Sequence, residues 1–263
     1  MSETTSPPTY DQVDRKALRR FWDTINGPYD DPDPVRKSLD ETPILVNVYL
    51  PLAGHDYRTP LFHACLHGKK RIVDLLLERK SQHVIWKCQG GMTPLQVACE
   101  KGRSDIATAL LRSIPDPAKR KEYVDEKDPG GRTALHYASM RSLDTVRNLL
   151  EFFKANLYLT DNKGSTCLHV AAMRGETEII SHFLSIMDQK TIVMEDSEGN
   201  TAWDYACGSF LPERGPAILR NPIVKIFLEL ELPKFTSYIG PFENAYGGVS
   251  LGPIKLERIK SVG

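Results

Sequence analysis

The chain has 263 residues, and 34 Lys and Arg are balanced by 34 Asp and Glu to a formal net charge of zero. That balance argues against generic binding to nucleic acid or to anionic membranes, which needs a net or patchy positive field. With 41% hydrophobic and 26% charged residues, the composition suits a folded domain and excludes wholesale disorder. No apolar run approaches the roughly 18 residues needed to span a bilayer. Residues 1–20 are polar, without the apolar core of a signal peptide. Five Cys with no Cys-x-x-Cys pair read as reduced thiols, so a cytoplasmic location is expected, extending to the nucleus.

In chain order, residues 1–12 are rich in Ser, Thr and Pro and are expected to be disordered. The spacing of Val13, Leu18, Phe21, Trp22 and Ile25 predicts a helix in an N-terminal cap over 13–53. A recurring string follows. It reads Thr59-Pro60-Leu61-Phe62-His63-Ala64-Cys65, then Thr93-Pro94-Leu95-Gln96-Val97-Ala98-Cys99, then Thr133-Ala134-Leu135-His136-Tyr137-Ala138-Ser139. Thr166-Cys167-Leu168-His169-Val170-Ala171-Ala172 and Thr201-Ala202-Trp203-Asp204-Tyr205-Ala206-Cys207 complete the set. The Thr residues lie 34, 40, 33 and 35 apart.

Each string predicts a short helix begun by Thr, with Pro60 and Pro94 where a missing N–H costs nothing. Aliphatic groups follow the first four strings, such as Ile72-Val73 with Leu75-Leu76-Leu77 and Ile106 with Leu110-Leu111. They predict a second, longer helix in each unit. Gly68, Gly102 and Gly175 mark the turns between the two, whereas the third unit has no Gly there and is one residue short. Asp128 to Gly131, Asp161 to Gly164 and Asp196 to Gly199 form Asp-x-x-Gly turns ahead of three strings. An insertion from Ser113 to Val124 reads as a loop, and a second one carries Pro212, Gly215, Pro216 and Pro222. No single unit could bury its apolar face alone, so the units must stack.

These strings resemble the T-P-L-H-x-A-A signature of ankyrin repeats, recurring about five times between Gly54 and Leu232. The resemblance implies an all-α ankyrin-repeat solenoid: paired antiparallel helices joined by β-turn or hairpin connections, flanked by an irregular N-terminal cap and a C-terminal extension over 233–263. It also implies that His136 and His169 hydrogen-bond neighbouring turns. Function would lie in a concave face that binds a protein partner.

The residues after each small pair would face that partner. His67, Lys101, Arg141 and Arg174 form a basic row with Met140 and Met173 beside it, extended by Arg58, Arg132 and Lys163, and Tyr137 would add apolar contact. Such a row suits an acidic, partly apolar segment. Pro7-Pro8-Thr9-Tyr10 matches the P-P-x-Y ligand of WW domains. This gives a second reading, an adaptor recruiting a WW-containing partner such as a HECT-type ubiquitin ligase. A third places a small molecule, and an unconventional enzyme activity, between groove and tail. The absence of a Gly-rich phosphate loop, of a nucleophile–base pattern and of tetrahedral His/Cys spacing predicts no catalytic residue, no metal and no cofactor. A monomer is expected. Cys65, Cys99 and Cys207 read as buried, Cys88 and Cys167 as the more exposed thiols, and Ala118-Lys119-Arg120-Lys121 as a weak nuclear-import candidate.

Overall fold

The computed structural model describes residues 14–48, 50–51, 57–79, 84–88, 90–208 and 226–227. The chain divides into two units, one ending at Asn162 and the other beginning at Lys163. Both are helical. Among the described residues the paired strands are β1 (Leu50–Pro51) and β2 (Tyr57–Arg58), joined antiparallel.

The first unit opens with α1 (Arg15–Asn26), α2 (Pro32–Glu41) and a 3₁₀ turn over Pro43–Asn47. Asp14 starts α1 by accepting from the Lys16 and Ala17 amides at 3.1 and 3.3 Å, satisfying donors that have no partner inside the helix. Leu18, Phe21 and Ile25 form its buried stripe. The helix packs on α2 and on α3 (Pro60–His67). Two side chains fasten this start of the chain to α4 (Lys70–Glu78). Asp30 accepts from the Arg71 and Ile72 amides at 2.8 and 3.0 Å, and the Lys69 ammonium donates to the Ile25 carbonyl at 2.5 Å and to that of Gly27. Each charge therefore meets the helix end whose dipole it complements.

Beyond them come α5 (Pro94–Glu100), α6 (Ser104–Arg112), α7 (Pro117–Val124), α8 (Ala134–Ala138) and α9 (Leu143–Glu151). The string helices stack α3 on α5 on α8, and the aliphatic helices stack α4 on α6 on α9. Ala64, Cys65, Ala98, Cys99, Ala138 and Ser139 are buried at the first set of contacts, where small side chains let backbones approach. Ile72, Leu76, Ile106, Leu110, Val146 and Leu149 are buried on the second set, each contributing on the order of 1.5–3 kcal/mol.

The inserted segment, expected as a loop, is helix α7. Asp116 caps it by accepting from the Ala118 amide at 2.9 Å, and Pro117 supplies its first turn. Tyr123 then ties the insertion to the stack, donating to the Val84 carbonyl at 2.6 Å and accepting from the Leu95 amide at 3.2 Å. The shortened turn between α8 and α9 closes without a left-handed residue. Ser142 takes over, its hydroxyl accepting from the Thr145 amide at 3.2 Å to begin α9.

The second unit contains α10 (Cys167–Arg174), α11 (Thr177–Ile186), α12 (Gln189–Ile192) and α13 (Ala202–Gly208). Helix α10 packs against α11 and α13. Trp203 of α13 meets the buried Phe227 edge-on, ring centroids 5.8 Å apart. The remainder of the segment after α13, including 233–263, lies outside the described residues.

Candidate functional site

In the last four strings the fourth residue has a structural task. Gln96 accepts from the Thr93 amide at 2.8 Å while Thr93 accepts from the Gln96 amide at 3.2 Å, a reciprocal cap that starts α5. The same side chain donates across to the Glu126 and Arg132 carbonyls at 2.8 and 3.1 Å. His169 does likewise: Nδ1 accepts from the Thr166 amide at 3.2 Å, so Nε2 carries the proton and donates to the Asn200 carbonyl at 3.2 Å. His136 Nδ1 accepts from the Thr133 amide at 3.2 Å, and Asp204 accepts from the Thr201 amide at 2.8 Å. Four side chains of three chemical kinds thus perform one capping task, and the two histidines in the set are committed to it.

At the other end of the string helices lie the cationic residues. In the first unit His67, Lys101 and Arg141 are exposed, at the inter-helix turns that follow α3, α5 and α8. Arg103 is exposed beside them, and its guanidinium packs against Gly68, which has φ +71°. Lys101 also approaches its neighbour Glu100 at 3.1 Å. Arg132 does not join this row. It stands before α8, at the opposite end of that helix from Arg141, with its guanidinium 3.5 Å from Asp161 and its amide donating to Asp128 at 2.8 Å.

The apolar side of the expected surface needs correction. Tyr137 and Met140 are each only 8% exposed. The Tyr137 hydroxyl donates to Asp128 at 2.5 Å, which turns the ring onto the neighbouring turn, and the shortened α8–α9 connection folds Met140 inward. In the second unit Arg174 is exposed at the end of α10, Met173 is half-buried, and Lys163 is exposed with its carbonyl accepting from the Ser197 amide at 2.8 Å.

Two further expectations change. Cys167 is 1% exposed, because as the first residue of α10 it turns inward behind the Thr166 cap. Burial pushes its thiol up to about 12 and leaves it unreactive. The basic tetrad Ala118-Lys119-Arg120-Lys121 lies on α7, where Arg120 donates to the Ile114 carbonyl at 2.9 Å and Lys121 pairs with Asp125. Pro7, Pro8 and Tyr10 lie outside the described residues.

His63 is a residue that the string pattern leaves unexplained. Phe62 occupies the capping place in the first string and His63 is displaced one position beyond it. It is 3% exposed, with neither ring nitrogen hydrogen-bonded. Its ring lies between Trp22 and His67, at centroid distances of 4.5 and 4.2 Å. Burial, and then the nearby charges of His67, Arg58 and Lys69, lower its pKa to about 3. Arg58 itself lies over the Phe62 ring at 5.7 Å.

A family model for ankyrin repeats (3 copies) matches residues 38–121 and 142–230, well over half of the chain. The chain belongs to the ankyrin-repeat family. Curated relatives carry ankyrin-like stretches within longer proteins. The human transient receptor potential cation channel subfamily A member 1 is 35% identical over 131 residues, which is 49% of this chain and 11% of the channel. The palmitoyltransferase AKR1 of Lachancea kluyveri is 29% identical over 176 residues, 66% of this chain and 22% of the enzyme. Human inversin is 31% identical over 169 residues, 64% of this chain and 15% of inversin. The chain thus spans between about a tenth and a quarter of these relatives, and what it shares with them is the ankyrin region. Ankyrin membership supports a protein–protein interaction module. Among the described residues no helix is long and apolar enough to cross a membrane, and no group of three or more His, Cys, Asp or Glu side chains could hold a metal ion.

Proposed function

We propose that the first unit is a non-catalytic intracellular interaction module that binds an acidic segment of a protein partner along its inter-helix turns. The observation that carries this reading is the repetition of one feature. His67, Lys101 and Arg141 are exposed at the same place in three stacked helix pairs, so a single extended segment would meet cations at regular intervals. Isolated exposed ion pairs contribute only about 0–1 kcal/mol each, and regular spacing is what lets several act together on one ligand. With Tyr137 and Met140 buried, charge is the main handle in this unit. In the second unit, Arg174 with Met173 beside it offers the mixed character first expected of the whole row.

The test is binding of a fluorescent Glu-rich peptide to the full chain and to the Lys101→Glu/Arg141→Glu double variant, with folding checked by circular dichroism. A loss of about tenfold or more in the variant supports the reading, and equal affinity refutes it. The sequence Pro7-Pro8-Thr9-Tyr10 favours a second, compatible role as an adaptor for a WW-domain protein. Tyr10→Ala would abolish WW binding and leave the acidic peptide bound, whereas WW binding unaffected by Tyr10→Ala would remove the adaptor role.

A further inference from the structure

Arg103 lies in the turn that follows α5, and its side chain runs back to the turn before it. The place a Cβ would occupy on Gly68 is 2.7 Å from the Arg103 Cζ and Nε and 2.9 Å from its Nη2. The bare glycine backbone is thus the floor on which this guanidinium rests. One layer further along the stack the relation recurs, with the Arg141 Cβ 3.7 Å from the corresponding place on Gly102. Both arginines are exposed. Among the described residues neither guanidinium has a hydrogen-bond or ion-pair partner, whereas Lys101 approaches Glu100 at 3.1 Å. A guanidinium holds five N–H donors in a planar fork that matches one carboxylate. Contact with a turn restricts the Arg103 side chain before any ligand arrives, which lowers the entropy lost on binding.

The interval between the two arginines limits what can join them. They start one layer apart in a stack whose string helices meet through buried Ala, Cys and Ser, and helices packed together lie about 8–10 Å apart. A β-strand returns a side chain to one face after about 6.6 Å and again after about 13 Å, and both miss that interval. An α-helix reaches about 10.5 Å between residues seven apart, but a helix shorter than about 12 residues is marginal in water. A polyproline II segment has three residues per turn and a rise of about 3.1 Å. Every third side chain therefore returns to one face after about 9.3 Å, with no helix to nucleate. We infer that the partner's segment is a polyproline II stretch with an acidic residue at every third position, successive carboxylates resting on Arg103 and Arg141. This rests on the reading of the turn row given above and adds Arg103 to that row.

The test measures binding to the full chain by fluorescence anisotropy with three labelled peptides of equal length, each carrying three Glu among prolines. One has Glu at every third position, one at every second, and one has the three Glu contiguous. The first is expected to bind about tenfold or more tighter than the other two. Arg103→Lys, which keeps the charge and loses the fork, should remove most of that preference, and Arg103→Gln all of it. Arg103 makes no side-chain cap bond to α6, so both variants should fold, and circular dichroism checks this. Equal affinity for the three peptides overturns the proposal, as does a preference that Arg103→Gln leaves intact. Tighter binding of a helix-forming peptide with Glu seven residues apart also overturns it. If the three peptides bind alike and Lys101→Glu/Arg141→Glu weakens all of them, the row stands and the spacing fails. If none of the acidic peptides binds, the row itself fails and the spacing with it.

Discussion

Gly131 and Asn162 sit so close that a Cβ on the glycine would stand 2.4 Å from the Asn162 side-chain oxygen and 2.6 Å from its amide nitrogen. The approach is held by two hydrogen bonds, from the Asn162 amide to the Gly130 carbonyl at 2.9 Å and from its side chain to the Pro129 carbonyl at 2.8 Å. Gly131 also has φ +79°. Gly199 shares that φ but has nothing within 4 Å of its missing Cβ. Gly199→Ala should therefore cost only the left-handed conformational penalty, about 1–2 kcal/mol. Gly131→Ala should cost roughly 2–4 kcal/mol, because the backbone of the next turn must also shift. Urea midpoints of the two variants check this, and equal shifts would show that the inter-turn contact contributes nothing.

Two tyrosines repeat one bond. Tyr137 donates to Asp128 and Tyr205 to Asp196, both at 2.5 Å and both nine residues along the chain. Burial works against ionisation of Asp196, yet the Tyr205 hydroxyl and the Asn200 and Glu198 amides outweigh it and hold its pKa below the ordinary carboxylate range. A carboxylate with a depressed folded pKa adds stability above its unfolded value near 3.9, and that stability is lost as pH falls through the folded pKa. Tyr205→Phe should remove about 1–2 kcal/mol at pH 7 and reduce the loss of stability between pH 4 and lower values. Denaturant titrations of both proteins at pH 7, 4 and 3 measure it; an unchanged acid limb would assign the low pKa to the amides alone.

How far the sequence discloses this molecule depends on whether a feature is local. The Thr-anchored strings, the helix pairs and the exposure of His67, Lys101 and Arg141 follow from spacing, because caps and apolar stripes act within a few residues. Tyr137 and Met140 are expected at the partner-facing surface and Cys167 among the exposed thiols, yet all three are buried, and what decides each is a contact that spacing does not show. Asp128 claims the Tyr137 hydroxyl, a turn one residue short draws in Met140, and the Thr166 cap points Cys167 inward. The insertion shows the converse. Asp116-Pro117 is a local helix start that outranks the polar composition after it, and Tyr123 supplies the long-range tie. His63 left a small signal, a histidine displaced by one from the capping place. Its meaning needed the positions of Trp22 and Arg58.

Lys154 is the non-glycine residue with a left-handed backbone among those described, at φ +54°. It lies just beyond α9, and the Ala155 amide after it donates back to the Leu149 carbonyl at 2.9 Å, so the chain folds back on the helix end through a left-handed residue, a position where glycine is favoured. Lys154→Gly should stabilise the protein by about 0.5–1 kcal/mol, the relief of the Cβ strain less the extra freedom gained by the unfolded chain. A rise in the urea midpoint at constant slope checks it, and a fall would mean that the lysine side chain supplies an interaction worth more than the strain.

The buried His63 imparts a pH dependence of defined sign. Its pKa near 3 in the folded protein lies below the unfolded value of about 6.5. Above pH 6.5 both states leave it neutral and it has no effect. Below that, the unfolded chain takes up a proton that the folded one refuses, so stability falls by up to about 1.4 kcal/mol per pH unit until the folded pKa is reached. His63→Phe should abolish this component. It should also stabilise the protein at pH 7 by about 1 kcal/mol or more, since two unpartnered nitrogens are replaced by carbon against the same Trp22 ring. Urea midpoints at pH 7, 6 and 5 distinguish the outcomes. The wild type should lose stability more steeply than the variant across that interval, and parallel curves would mean that the ring finds a proton partner in the folded state.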